Sequence, residues 1–118
     1  MKTTIIVLIK QPRSWPIIKT IPNNLKTLQN IVKGHIEVVD IRKNAMIICN
    51  EEAKMLTKFH NQKNFSLTVD GHVIDEIYGT AIFVSQDGED FDDLNVSYVL
   101  DFFTSLCEDD PKLEVDFT

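Results

Sequence analysis

Apolar residues in this chain come in short runs, and their spacing switches repeatedly between a two-residue and a helical period. Thr3 to Ile9 (TTIIVLI) is β-branched and apolar at both alternating sets of positions, which predicts a strand buried on both faces. Gln11-Pro12-Arg13-Ser14 supplies turn chemistry, and Trp15 to Ile21 (WPIIKTI) returns as the second arm of a hairpin. Pro16 cannot donate to a ladder, so this arm is expected at a sheet edge. After Pro22-Asn23-Asn24 the period becomes helical. An Asn is a favoured N-cap, Leu25, Leu28 and Val32 share one face, and Gly34 is placed to follow the last turn.

Two-residue alternation then resumes. His35 to Ile41 and Ala45 to Cys49 read as strands joined by the polar turn Arg42-Lys43-Asn44, with Ile36, Val38 and Asp40 on one face of the first. Glu51 to His60 has Ala53, Leu56 and Phe59 spaced by threes and predicts a short helix. Asn61 to Asn64 is loop-like. Phe65 to Val69 and His72 to Tyr78 flank Asp70-Gly71, a hairpin-turn dipeptide. Gly79 to Ser85 is a strand centred on Ile82-Phe83-Val84 and broken by Asp87-Gly88. Asp92 or Asp93 is then expected to cap a final helix, with Val99, Phe102, Phe103 and Leu106 on its core face. Glu108 to Pro111 ends that helix, and KLEVDFT is left as loose chain or an edge strand.

The expected fold is therefore α+β: a mainly antiparallel sheet of hairpins with two principal helices, about 23–33 and 94–107. With 118 residues, a single domain spans 1–118, large enough to bury about two-thirds of its unfolded surface without staples. Hydrophobic content of 43% and charged content of 25% place it with ordinary globular proteins rather than disordered or fibrous ones.

Charge divides the chain more sharply than composition does. The net charge is −6, yet the first 69 residues carry eleven Lys and Arg against four acids. From Asp70 onward fourteen Asp and Glu face a single Lys112. Direct nucleic-acid binding by the acidic half is disfavoured, because phosphate contacts need cations. Docking on a host protein through an acidic surface is the alternative, with Glu89, Asp90, Asp92, Asp93, Glu108, Asp109 and Asp110 as candidate contacts. Cys49 and Cys107 have no partner pattern and read as two unrelated reduced thiols. Ile5 to Ile9 is too short for a signal-peptide core and no run reaches membrane-spanning length, so the expectation is cytoplasmic, with no membrane.

Most chemistries leave no trace in the sequence. His35, His60, His72 and the two cysteines have no metal-ligand spacing, and no metal or other cofactor is expected. DGEDFDD (Asp87 to Asp93) lacks the glycine at the sixth position and the acid at the twelfth that a calcium loop requires, and reads as an acidic turn. There is no phosphate-cradling glycine loop and no nucleophile motif, and Cys49 within an apolar strand reads as an inert core thiol. Glu51 and Glu52 are neighbours that on a helix point about 100° apart, so they would not share a proton. Catalysis is not expected. Gln29 falls on the apolar stripe of the first helix and has to find partners there. It either ties the helix to a neighbouring backbone or lines a pocket with Asn50.

These pieces form a recognisable series. LKTLQNIVKGHIEVV, AMIICNEEAK, a later Asn and IYGTAIFV occur in an order that resembles a family of short bacterial, phage and mobile-element proteins, domain of unknown function 3846. Leu25, Leu28, Gln29, Val32, Gly34, Ile36 and Glu37 match its first motif, Asn50, Glu51, Glu52 and Lys54 its second, and Ile77, Gly79 and Thr80 its last. The resemblance covers about residues 1–85. Ala53 stands where the family has Gly, and Phe59-His60-Asn61 replaces a Leu-Pro-x-Asn-like run, which puts the loop geometry after Asn50 in question.

The resemblance implies a mobile-element setting and no activity. Two functions are expected on these grounds. One is a non-enzymatic accessory protein that binds and modulates or inhibits a host protein, a defence factor being one candidate. The other is a small-ligand module in which Gln29, Asn50, Glu51 and Asn61 ring a polar pocket for a nucleotide-like molecule, since amides both donate and accept. If those side chains instead bond only to backbone while an acidic or aromatic patch lies exposed, the protein-binding reading gains.

Overall fold

Ile5, Val7 and Ile9 alternate with Leu8 and Lys10 along the first strand, and both sets are buried, as its two-faced apolar pattern predicts. The computed structural model describes residues 3–42, 45–56, 62–69, 72–95 and 113–116. Its elements run β1 (Thr4–Lys10), β2 (Ile17–Pro22), α1 (Leu25–Val32), β3 (Ile36–Arg42), β4 (Ala45–Asn50), β5 (Lys63–Val69), β6 (His72–Tyr78), β7 (Ala81–Asp87), β8 (Asp90–Asp92) and β9 (Leu113–Asp116). Six strands form one sheet in the order β2-β1-β7-β4-β3, with β8 on β7, and β6-β5-β9 form a second. Every pairing is antiparallel.

Three layers result. Ile5, Val7, Ile48, Ile82 and Val84 face α1, which covers them with Leu28 and Val32. Leu8, Ile47, Cys49 and Phe83 face the small sheet, which covers them with Phe65, Leu67 and Ile77. The rings of Phe65 and Phe83 meet between the sheets at 5.6 Å. Burying such a side chain is worth about 1.5–3 kcal/mol. β4 lies between the layers and is buried at all six of its residues. The first edge prediction holds: β2, preceded by Pro16, is the outer strand of the large sheet.

The helical predictions hold only in part. Asn24 caps α1, its Oδ1 accepting from the Thr27 N–H at 2.8 Å. The helix is shorter than 23–33, and Leu25 lies outside its buried face, 56% exposed. Glu51 to Met55 form successive turns rather than a helix. At the second expected helix, Leu94 and Asn95 are not helical. Leu94 N–H donates to Ile6 O and Asn95 N–H to Ser85 Oγ, so this segment is held beside the large sheet. Residues 96–107 of that prediction lie outside the described residues. Asp87-Gly88 does not simply end β7. Gly88 at φ 63° and Glu89 turn the chain back into β8, where Gln86 pairs with Phe91. KLEVDFT contributes β9, which pairs with β5.

Where the chain passes from the small sheet to the large one, a buried amide holds the corner. Gly79 links β6 to β7 at φ 76°, a conformation that favours glycine. Its N–H donates to Gln62 O at 2.7 Å, and its carbonyl accepts from Asn64 Nδ2 at 2.8 Å. Asn64 Nδ2 also donates to Lys10 O at 2.7 Å, and Asn64 Oδ1 accepts from Lys10 Nζ at 3.0 Å. One side chain on β5 thus ties β1 of the other sheet to the crossing strand. Burial lowers the pKa of Lys10, whose ammonium also donates to Gln11 O at 2.7 Å.

Asn64→Ala leaves two buried carbonyls and a buried ammonium short of a partner. We expect about 2–4 kcal/mol of destabilisation, read as a lower midpoint in urea with little change in slope. A loss below about 0.5 kcal/mol would show that the two sheets do not depend on this corner.

Candidate functional site

IICN-EEAK is the junction at which β4 leaves the sheet. Asn50 is its last residue and faces α1, because Ile48 and Asn50 are two apart on the pleat. Its amide is directed at the end of the helix. Nδ2 donates to Val32 O at 3.1 Å and to Lys33 O at 3.2 Å, two carbonyls that a helix terminus leaves without intrahelical donors. Oδ1 accepts from the Glu52 N–H at 2.8 Å and so shapes the turn that follows. All three bonds go to backbone.

This amide explains the glycine eighteen residues after Pro16. Lys33, not Gly34, takes the left-handed position after α1, at φ 65°. Gly34 N–H donates back to Gln29 O at 3.0 Å. A Cβ on Gly34 would lie 2.6 Å from Asn50 Nδ2, so glycine is needed for close approach and not for its φ. Ala53 has no positive φ and is buried.

The four residues predicted to ring a pocket do not share one. Half-buried Gln29 lines an open concavity of about 330 Å³ with Asn30, Lys33, Gly34 and His35. Asn50 and Glu51 line a separate one of about 90 Å³, with Glu37, Cys49, Lys54 and Tyr78. Asn61 lies outside the described residues. Glu51 and Glu52 are exposed, and Glu51 N–H donates to His35 O at 2.9 Å, prolonging the β3–β4 ladder.

The smaller cavity has a thiol at its floor and charges at its mouth. Cys49 is 4% exposed, with Sγ 4.0 Å from Glu37 Oε1. Burial, then the charges of Glu37 and Asp75, push the thiol up to about 12. It is therefore protonated and a poor nucleophile near neutral pH. Lys54 pairs with Asp75 of β6, and that hydrogen bond raises the pKa of Lys54. Lys63 pairs with Glu76 at 3.3 Å, so both carboxylates of β6 have a cationic partner. Among the described residues no group of three His, Cys, Asp or Glu side chains is placed to hold a metal ion.

The candidate acidic surface separates into two parts. Glu89 and Asp90 are exposed at the β7–β8 turn. Asp92 and Asp93 are half-buried and engaged within the fold: Asp92 Oδ1 accepts from Asp93 N–H at 2.7 Å, and Asp93 Oδ1 from Ile6 N–H at 2.8 Å. Glu108, Asp109 and Asp110 lie outside the described residues. Two features escape a reading of the sequence by motif. Asn64 is one, since nothing local distinguishes it from Asn61. The other is the exposed strip Trp15, Ile17 and Ile18, at 90%, 54% and 65%. Its signal was present in Pro16, which marks an edge strand whose apolar residues need not all find cover.

A double-mutant cycle isolates the Gly34–Asn50 contact. Gly34→Ala and Asn50→Ala are each expected to cost about 1–3 kcal/mol, and the double variant about 1–2 kcal/mol less than their sum, because the Cβ then occupies the space left by the amide. Simple additivity in urea unfolding would refute the contact. The thiol predicts a pH dependence. Unfolded Cys49 ionises near its ordinary 9.0 and folded Cys49 only near about 12, so its stabilising contribution is present below that window and is lost as pH rises through it. Wild type should therefore lose stability across this range more steeply than Cys49→Val, and parallel curves would contradict the assignment.

No curated protein and no solved structure matches the chain. The family described as Domain of unknown function (DUF3846) matches residues 1–106, running past the last of the motif residues. With the family model matched over most of its length, the chain belongs to the DUF3846 family.

Proposed function

We propose that this protein is a non-enzymatic accessory protein that acts by binding another protein. The observation that carries the reading is that three large apolar side chains are left exposed at one sheet edge, Ile17 and Ile18 at the start of β2 and Trp15 just before it. Soluble proteins rarely leave large apolar side chains grouped in this way without a partner for them. Tryptophan is also among the residues that most often dominate binding energy at protein interfaces.

The polar motif residues support the same direction. Asn50 spends its amide on Val32, Lys33 and Glu52 backbone, and Gln29 and Glu51 line different concavities. That arrangement favours protein binding over a ligand pocket built from those side chains. The mobile-element setting that the resemblance implies supports a host protein, a defence factor included, as the partner, and the cytoplasm as the site of action. No described helix is long and apolar enough to cross a membrane. Glu89 and Asp90 at the β7–β8 turn add a charged feature that affects encounter more than affinity.

The test is capture from a host lysate with wild type and with a Trp15→Ser, Ile18→Ser variant, alongside mass spectrometry of small molecules released on denaturation. Both residues are exposed, so unfolding should move by less than about 0.5 kcal/mol per site. We expect a protein captured by wild type and lost in the variant. A stoichiometric small molecule with no captured protein would overturn the reading in favour of a ligand module.

A further inference from the structure

The hydrogen-bonding direction of β2 follows from what its neighbours do. Asn23 N–H donates to Thr3 O at 2.9 Å, one step beyond the Thr4–Pro22 pair. On the other side of β1, Ile6 N–H donates to Asp93 Oδ1 and Ile6 O accepts from Leu94 N–H, each at 2.8 Å. Ile6 therefore turns both backbone groups away from β2, and its partner Thr20 belongs to a non-hydrogen-bonded pair. Alternation sends the backbone groups of Ile17, Lys19 and Ile21 toward β1, and those of Ile18 and Thr20 outward. Pro22 fits this register, because its missing N–H would also have faced outward. Among the described residues no strand pairs with that edge. Two N–H and two C=O groups lie there between Pro16 and Pro22.

The exposed side chains of this window are apolar at Ile17 and Ile18, cationic at Lys19 and neutral at Thr20. Ile17 and Ile18 are exposed on opposite faces of the strand, with Trp15 just before it. Arg13, Lys19 and Lys26 are also exposed. Residues 1–36, which build β1, β2 and α1, contain six Lys and Arg and no Asp or Glu. Asp93 lies on the other side of β1 and accepts from Ile6 N–H.

We propose that the outer edge of β2 recognises an extended, acidic and apolar segment of a partner protein, which adds to the six-stranded sheet against Ile18 and Thr20. This rests on the protein-binding reading above and gives it a place and a chemistry. Backbone bonds to Ile18 and Thr20 fix the register, alternate apolar side chains meet Ile17 and Ile18, and carboxylates meet Lys19 and Lys26. A second copy is the poorer occupant, because it would set one cationic edge against another. A single-stranded nucleic acid would meet Trp15 and the cations but leave the backbone ladder and the isoleucines unused. Another outer strand, β6, also exposes Val73 and Ile74, but its Asp75 and Glu76 already pair with Lys54 and Lys63 and would not attract an acidic segment. Prolines and lysine are also devices that blunt edges, and here they confine addition to a short window.

The experiment uses the full chain and a fluorescein-labelled octapeptide in which Glu alternates with Val and Ile. Its comparators are the Lys-for-Glu peptide, the Glu peptide N-methylated at alternate residues, and an oligothymidylate. Anisotropy should show the acidic peptide binding about tenfold or more tighter than the lysine peptide, with the preference shrinking in salt. N-methylation and Thr20→Pro should each weaken it about fivefold or more, since each removes donors from the ladder. Amide exchange should slow at Ile18 and Thr20 and stay unchanged at Ile17 and Lys19. Equal affinity for both charge types, binding without that protection, preference for the oligothymidylate, concentration-dependent dimerisation, or no binding at all would each overturn the proposal. A protein captured by wild type that still binds Thr20→Pro would overturn strand addition alone. Failure of wild type to capture any protein would overturn the underlying reading as well.

Discussion

At two places where elements of different layers meet, backbone carbonyls are left without ladder partners, and side-chain amides satisfy them. Asn50 does this where β4 ends under α1, and Asn64 does it where β6 passes into β7. Neither interaction is large by itself, since a typical hydrogen bond contributes about 1 kcal/mol net. Losing one is costlier, because several buried groups lose their partner together. The surrounding packing follows from these two points: α1 is held over Ile48 and Val84, and the small sheet over Ile47 and Phe83.

The same constraint accounts for the family motifs. Gly34 gives Asn50 room, and Gly79 gives the corner a backbone conformation that other residues rarely adopt. Asn50, Gly34 and Gly79 are thus engaged in building the fold, whereas the outer edge of β2 pairs with no strand among the described residues. Charge follows the same division. The stretch without acids forms one edge of the large sheet with the helix, whereas Asp75, Glu76, Glu89 and Asp90 lie on β6 and at the β7–β8 turn.

Much of the architecture was legible because its signals are local. Two-residue alternation marked the strands, Asn24 marked the start of α1, and Pro16 marked an edge. The misreadings have local causes too. Leu94 follows acidic residues that resemble a helix cap, yet its N–H is taken by Ile6, a strand residue far away in sequence. Gly34 resembles a helix-terminating glycine, while its actual requirement comes from the side chain of Asn50. A contact between residues so far apart leaves no periodic trace.

By itself the sequence determined most of the hairpins, the two-faced burial of β1, the family and the polarity of charge, because each depends on spacing or composition within a few turns of chain. Only the tertiary structure decided that the sheet divides into two, that Asn64 joins them, and that Gln29 and Glu51 face different concavities. Those outcomes depend on which buried carbonyls come within reach of which amides, and that distance is set by the packing of layers, not by order along the chain.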